Sequence, residues 1–515
     1  MSEEKSYGQI IRASSIVGVG QAGNYVIGLV RVKAVAMLLG PSGVGLVSLY
    51  TSATTLLGTV SGLGVTNSGV REIVRAYAKE DPAEAAKTVL ILRRACWATG
   101  IFGWALAFAL AEPISDWMTG SIEHASAIRL LGSTLLIGQL SAGQLALLQG
   151  LRRIGDLARA NLLGSLFGSI ATIAIYFWLR ESGIVPAMIA TAVAGLVASF
   201  WWARKTPVEP LQVSWTDAAL GLKRLLGLGI AMMWAAFLSA AVDMLTRSVI
   251  TRHFGVETAG VYQSAWALSG LFANFVLVAM GADYFPRLTA VIHNKELAVR
   301  AVNEQTEISV LLALPGLLAV IAFSPAIVEL LYSEKFLPAA ELLPWMTVGV
   351  FGRVVSWPLG FVQLAVGASR WYAATETIFV LLMAGLTLQL MTLFGPVGAA
   401  YAFAANYAVY TATMLFVARR LIDFRSSRRV KEEIAAASAF LGLALLSRWT
   451  LIDASVQLCA ALTILFTGTV FSLWGLASRA GWSASLSHRL SSTPIGRRFF
   501  AKSVRGSPKR GSPKT

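Results

Sequence analysis

Apolar positions in this chain come in long runs, not in alternation. A helix needs about twenty apolar residues to cross a hydrocarbon core about 30 Å thick. That window recurs fourteen times, near residues 13–38, 44–66, 88–111, 126–148, 159–179, 184–203, 225–249, 258–281, 306–328, 342–364, 372–394, 397–417, 434–452 and 455–477. Arg448 and Asp453 interrupt the last pair at its hairpin. The runs are too long for strands and lack a period of two, so every element is predicted to be helical. The opening MSEEKSYGQ is mixed in charge and precedes a span too long for a signal peptide, so no cleaved leader is expected.

The polar positions between the runs carry a second pattern. Arg71, Arg75, Lys79 and Lys87 follow span 2, and Arg152, Arg153 and Arg159 follow span 4. Arg204, Lys205, Lys223 and Arg224 follow span 6, and Arg287, Lys295 and Arg300 follow span 8. Six basic residues from Arg419 to Lys431 follow span 12, whereas residues 112–125 hold no Lys or Arg. Basic loops stay on the cytoplasmic side, so both termini are predicted to be cytoplasmic. No loop is long enough to form a domain of its own, which leaves no place for a soluble catalytic module.

Composition agrees with this picture. Apolar residues make up 56% of the chain and charged residues 14%, too few charges to clothe a soluble protein of 515 residues. The mean hydropathy is +0.65. The net charge of +16 draws 9 of its 43 basic residues from the last 38 positions, where no acid occurs. The remainder follows from loop topology, so nucleic acid is not an expected partner. Cys96 and Cys459 lie far apart, and the four histidines are scattered, so neither a disulfide framework nor a metal site is expected.

The chain also repeats itself at an offset near 215 residues. Gly40-Pro-Ser-Gly-Val-Gly45-Leu46 parallels Gly255-Val-Glu-Thr-Ala-Gly260-Val261, Gly150 with Arg153 parallels Gly367 with Arg370, and Ala203-Arg204-Lys205 parallels Ala418-Arg419-Arg420. Because the landmarks keep their order after six spans, the repeat is parallel, as in transporters built of two bundles about an axis along the membrane normal. The expected fold is an all-α polytopic membrane protein of about 14 spans, with two parallel-repeat six-helix bundles forming 12 core spans plus two C-terminal spans. Residues 1–218 would form the N-terminal lobe, 219–433 its repeat and 434–478 the two additional spans. Residues 479–515 would form a basic, disordered, cytoplasmic tail.

Ionisable residues within spans cost roughly 2.5–3.5 kcal/mol each on insertion scales, which makes them functional candidates. Arg353 has eleven uncharged residues on either side, Leu342–Gly352 and Val354–Leu364, too deep to reach an interface; Glu376 is a candidate structural partner. Arg31 and Lys33 are two apart and point about 200° from each other, so one faces a cavity less squarely than the other. Arg247 lies 216 positions after Arg31, with Asp243 four residues earlier on the same helical face. Asp283 and Arg287 flank the inner end of span 8, and Arg129 starts span 4. The balance is cationic and favours an anionic substrate, since the planar guanidinium fork suits phosphate.

Several stretches carry a family resemblance: LLGPSGVGL from Leu38, GLGVTNSGV from Gly62, GADYFPRLTAV from Gly281 and VNEQTEI from Val302. Arg353-Val-Val-Ser356-Trp357-Pro358-Leu359, LAVGASR and Thr375-Glu376 complete the set. In this order they resemble bacterial O-antigen translocases, the lipid-linked oligosaccharide flippases of the multidrug/oligosaccharidyl-lipid/polysaccharide exporter superfamily. Val350 departs from that pattern, where an acidic residue is expected before Arg353, and so does the extension beyond residue 433. The resemblance implies a transporter, not an enzyme, of the bacterial inner membrane. It would act in polysaccharide and lipopolysaccharide biosynthesis, moving undecaprenyl-pyrophosphate-linked oligosaccharide outward by alternating access. Substrate contacts are expected at Arg31, Lys33, Arg247 and Arg353, and coupling or charge-pair roles at Asp243, Glu376 and Asp283. No cofactor is expected; coupling to H+ or Na+ stays open, as does association with a polysaccharide polymerase complex. A peptidoglycan-precursor flippase, a multidrug antiporter and a non-transporting scaffold subunit are the alternatives.

Overall fold

The computed structural model describes residues 3–78, 82–206, 215–450 and 453–479. The basic tail expected to be disordered lies outside the described residues from 480 onward. Among the described residues there is no strand; the chain forms fifteen α-helices and two short 3-10 turns. In chain order these are α1 (Glu3–Gly62), α2 (Val65–Ala78), α3 (Pro82–Ala109), α4 (Ala111–Thr119), α5 (Ala125–Gly150), α6 (Ile154–Leu179), α7 (Ile184–Ala203) and α8 (Trp215–Val291). Then follow α9 (Lys295–Ala322), α10 (Ser324–Leu331), α11 (Ala339–Val366), α12 (Ser369–Phe394), α13 (Val397–Ile422), α14 (Arg428–Thr450) and α15 (Ala454–Arg479). Helices are the form that satisfies every backbone amide within one segment, which lipid demands.

Ten stretches of the described residues are long and apolar enough to cross a membrane. Three of them, Gly23–Gly62, Ile154–Ala203 and Met233–Asn274, run for 40, 50 and 42 residues, and each holds two of the spans read from the sequence. Helix α14 is not among the ten, because its first turns carry Arg428, Arg429, Lys431, Glu432 and Glu433.

The chain divides into two compact units. The first comprises Met1–Gly270, Phe323–Val350 and Gly367–Thr413. Its main core gathers Leu49, Ala53 and Leu57 of α1, Met118 of α4, Ile128 and Leu131 of α5, Tyr176 of α6 and Ile184 of α7. A second cluster joins Ile73 of α2, Leu92 of α3 and Leu147 of α5. Lipid is as apolar as leucine, so such helices associate through close packing and not through escape from water. The α6–α7 pair shows how. Gly164 and Gly168 sit one turn apart, and a Cβ on Gly164 would come within 3.2 Å of the Gly195 backbone. One turn further along α6, the Thr172 and Thr191 hydroxyls lie 3.0 Å apart in a hydrogen bond.

The second unit comprises Leu271–Ala322, Phe351–Val366 and Met414–Thr515. Here α9 packs against both α14 and α15, the two helices that extend the chain beyond residue 427. Polar groups stitch the turn before α14 to α9. The Asn303 amide donates to the Arg425 carbonyl at 3.0 Å and accepts from the Ser427 N–H at 2.8 Å. The Ser427 hydroxyl donates to Glu307 Oε1 at 3.1 Å. At the surface, Lys295 reaches Asp423 at 2.5 Å and holds that carboxyl below the usual carboxylate range. The deepest contact belongs to Arg479, which donates from Nε to Glu307 Oε2 at 2.9 Å and from Nη2 to Glu433 Oε1. Glu307 and Glu433 are both buried, so one guanidinium serves two carboxylates.

Removing that guanidinium strands both acids. Arg479→Ala is expected to destabilise the second unit by about 3–5 kcal/mol, the range for breaking a buried ion pair. In detergent this should appear as a lower unfolding temperature and reduced abundance. Adding Glu433→Gln to Arg479→Ala should recover part of the loss.

Candidate functional site

Two glycines set the geometry of the first unit. α1 and α8 are each one continuous element in sequence, yet each turns at a glycine outside the right-handed region. Gly40 takes φ 67° and ψ −171°, and Gly255 takes φ 87° and ψ 162°. Positive φ is strained for any residue with a Cβ and costs glycine nothing. The two positions are 215 apart, the offset of the sequence repeat. Five residues after each comes a second glycine, and these meet. A Cβ on Gly45 would lie 2.1 Å from the Val256 carbonyl oxygen, and a Cβ on Gly260 would lie 1.9 Å from that of Pro41. The contact is reciprocal, residue for residue: each repeat presses its glycine onto the backbone just past the other's bend.

Beside this crossing, and wholly within the first unit, lies a cavity of about 450 Å³ bounded by α1, α6, α7 and α8. Valines 32, 35, 44 and 47 form an apolar wall, while Thr51 and Thr55 present exposed hydroxyls one turn apart. Its charged residues are Arg31, Asp243 and Arg247, three of the candidates from the sequence. Arg247 is buried, 7% exposed, and firmly held. Its Nε and Nη2 both donate to Gln263 Oε1, at 3.1 and 2.9 Å. Its Nη1 donates to the Asp243 carbonyl at 3.0 Å and lies 3.6 Å from Asp243 Oδ2. The Asp243 side chain is half exposed to the cavity. Arg31 is half-buried, with no hydrogen bond or ion pair from its guanidinium among the described residues. Two guanidiniums against one carboxylate leave the cavity cationic.

The other sequence candidates stand elsewhere. Lys33 points away from Arg31 and donates to the Glu329 carbonyl at 2.9 Å. Glu376 accepts from the Tyr410 hydroxyl at 3.0 Å on the α12–α13 pair, where the Phe379 ring lies tilted, 4.4 Å from the Tyr410 ring centre. Asp283 is exposed and only 3.9 Å from Arg287, a loose pair on the surface of the second unit. Arg353 also belongs to the second unit, half-buried, with no ion-pair partner within that unit among the described residues. Arg129, read as interfacial, pairs with Glu112 at 2.5 Å on an exposed face. Gln263 carries no charge, so nothing within its span marks it out in the sequence. Its one sequence signal is its place 215 residues after Ser48, which lines the same cavity. The cavity of the second unit, about 810 Å³, is walled by Glu304, Glu307, Glu432 and Glu433 with Arg429 and Arg479, an acidic surface unsuited to an anion.

The fold is that of a polytopic helical membrane protein, and solved structures share it. The lipid II flippase MurJ in an inward closed conformation superposes with a TM-score of 0.68 at 14% identity, over 90% of this chain and 99% of that one. The chain belongs to a polysaccharide biosynthesis protein family, whose model matches residues 34–341. Among curated relatives, the lipid III flippase of Escherichia coli (strain K12) is 25% identical over 412 residues, covering 77% of this chain and 94% of the relative. The succinoglycan biosynthesis transport protein ExoT of Rhizobium meliloti (strain 1021) is 23% identical over 63% of this chain and 62% of its own length. These relatives are transporters, not enzymes, as the sequence predicts for this chain.

The glycine crossing admits a direct check. Gly260→Ala places a methyl group on backbone that cannot yield, so the two bends must separate. Val44, beside the crossing, is 8% exposed. A cysteine at Val44 should react slowly with a thiol reagent in the parent and markedly faster once Gly260→Ala is added.

Proposed function

We propose that this protein is a flippase for a lipid-linked saccharide, and that its substrate is a polyprenyl-pyrophosphate-linked oligosaccharide such as an O-antigen repeat unit. The observation that carries this reading is the pairing of Arg31 and Arg247 in a hydroxyl-lined cavity large enough for a headgroup. Its volume lies within the roughly 300–1,000 Å³ typical of small-molecule sites. Phosphate oxygens are acceptors only, and two guanidiniums offer them forked donors. The saccharide hydroxyls meet Thr51 and Thr55, and the polyprenyl chain stays in lipid, its natural solvent. A cavity for cationic drugs would invert this charge balance.

Transport on this reading proceeds by alternating access in the bacterial inner membrane, with both termini in the cytoplasm. The Gly45–Gly260 crossing then closes the outer end of the cavity while the headgroup loads from inside. Asp243 or Glu376 exchanges H+ or Na+ to reset the cycle; Asp243 is the stronger choice because its carboxylate is half exposed to the cavity and only 3.6 Å from Arg247. A polysaccharide polymerase complex is the natural acceptor of the product.

The test is flux of a labelled polyprenyl-pyrophosphate oligosaccharide across proteoliposome membranes. The protein should move it, and Arg31→Ala and Arg247→Ala should each reduce the rate at least tenfold, the order expected from losing a hydrogen bond to a charged group. Arg31→Lys should keep part of the rate, since the charge persists without the fork. Transport unchanged by both alanine variants would remove the cavity from the mechanism. Orientation is checked separately. In intact cells an impermeant thiol reagent should label cysteines at Ser121 and Glu257 and leave one at Ser426 unlabelled.

A further inference from the structure

Gln263 holds Arg247 in a way that fixes the direction of its own amide. A guanidinium has five N–H donors and no acceptor, so the atom facing it must be the carboxamide oxygen. Hydrogen-bond chemistry therefore assigns the amide, where O and N would otherwise be interchangeable. Oε1 accepts from both Nε and Nη2 of Arg247, at 3.1 and 2.9 Å, and both of its lone pairs are used. The amide nitrogen sits on the opposite branch of a side chain that lines the cavity. Its two N–H groups have no acceptor among the described residues, and Nε2 is not among the sealed polar atoms of the interior.

The repeat-related position sharpens the point. Ser48 lies 215 residues earlier and lines the same cavity, but its hydroxyl is consumed by the Gly45 carbonyl at 2.8 Å. Thus one copy of the position is closed upon its own helix, and the other presents two free donors. A carboxylate in place of Gln263 would hold Arg247 equally well, yet it would cancel the charge that the cavity needs. An amide holds the guanidinium without neutralising it.

We propose that Gln263 is a specificity-determining residue of this cavity: a neutral clamp on Arg247 whose amide N–H groups donate to acceptor oxygens of the substrate headgroup. This rests on the reading of the cavity as the site of an anionic lipid-linked saccharide. Those acceptors are phosphate or sugar oxygens, which share the same chemistry. Three of the five Arg247 N–H groups already donate and the guanidinium also pairs with Asp243, so the Gln263 amide adds two donors to a wall where Arg247 has few to spare.

The experiment compares Gln263→Glu and Gln263→Ser with the parent in the proteoliposome flux assay. Gln263→Glu keeps an acceptor for Arg247, so abundance and unfolding temperature should stay at the parent values. Its apparent KM for the polyprenyl-pyrophosphate oligosaccharide should nevertheless rise about tenfold or more. Gln263→Ser copies the repeat-related residue and should raise KM as well, without adding a charge. Inorganic pyrophosphate is then added as a competitor. Competition in the parent that weakens in both variants assigns the contact to phosphate, and a raised KM with no competition in any of them assigns it to sugar. A parent KM in both variants overturns the role of Gln263. A parent protein that moves no lipid-linked oligosaccharide overturns instead the functional reading beneath it.

Discussion

Hydrocarbon offers no partner to a polar group, and that constraint shapes both units of this protein. Every amide that enters the membrane must be paired within its own helix or its immediate neighbour. Every ion must be paired or open to water. Helix association then relies on fit: small residues bring α6 and α7 to backbone contact, and Gly45 and Gly260 do the same for α1 and α8. Where the chain must bend, glycine takes the bend, at Gly40 and Gly255 alone among the positions inside those two helices.

Arg31 and Arg247 line one cavity, one residue out of register with the 215-residue repeat, and their surroundings differ. Arg247 is locked by Gln263 and balanced by Asp243, whereas Arg31 keeps a guanidinium free of partners among the described residues. On the proposed reading, a locked cation and a free one suit a substrate that must be recognised and then released: the locked one gives position at little entropic cost, and the free one can follow the anion as it moves. A symmetrical pair, both locked or both free, would lack one of these properties.

The C-terminal extension follows the same rule about buried ions by other means. α14 is too polar to count as a span by composition, and its acids near the start are a liability in lipid. They are managed by position: Glu433 and Glu307 converge on Arg479, the final residue of α15. The clamp ties the extension to α9, a core helix. It gives the two added helices a structural reason to stay attached, whatever further use they serve.

The sequence by itself determined the helical class, because that depends on local composition. A run of twenty apolar residues has one stable form in lipid, and landmarks 215 apart can be read without coordinates. It also selected Arg31, Asp243 and Arg247, since a charge inside an apolar run stands out and a spacing of four puts Asp243 and Arg247 on one face. It could not tell which of its candidates share a cavity. Lys33 is two residues from Arg31 and faces the Glu329 carbonyl, and Arg353 and Asp283 fall in a different compact unit. Nor could it find Gln263 or the clamp on Arg479. A neutral amide does not stand out by charge, and Glu307, Glu433 and Arg479 are separated by up to 172 residues. Tertiary structure decided those partnerships, because a hydrogen bond depends on distances of about 3 Å between helices that sequence separation does not encode.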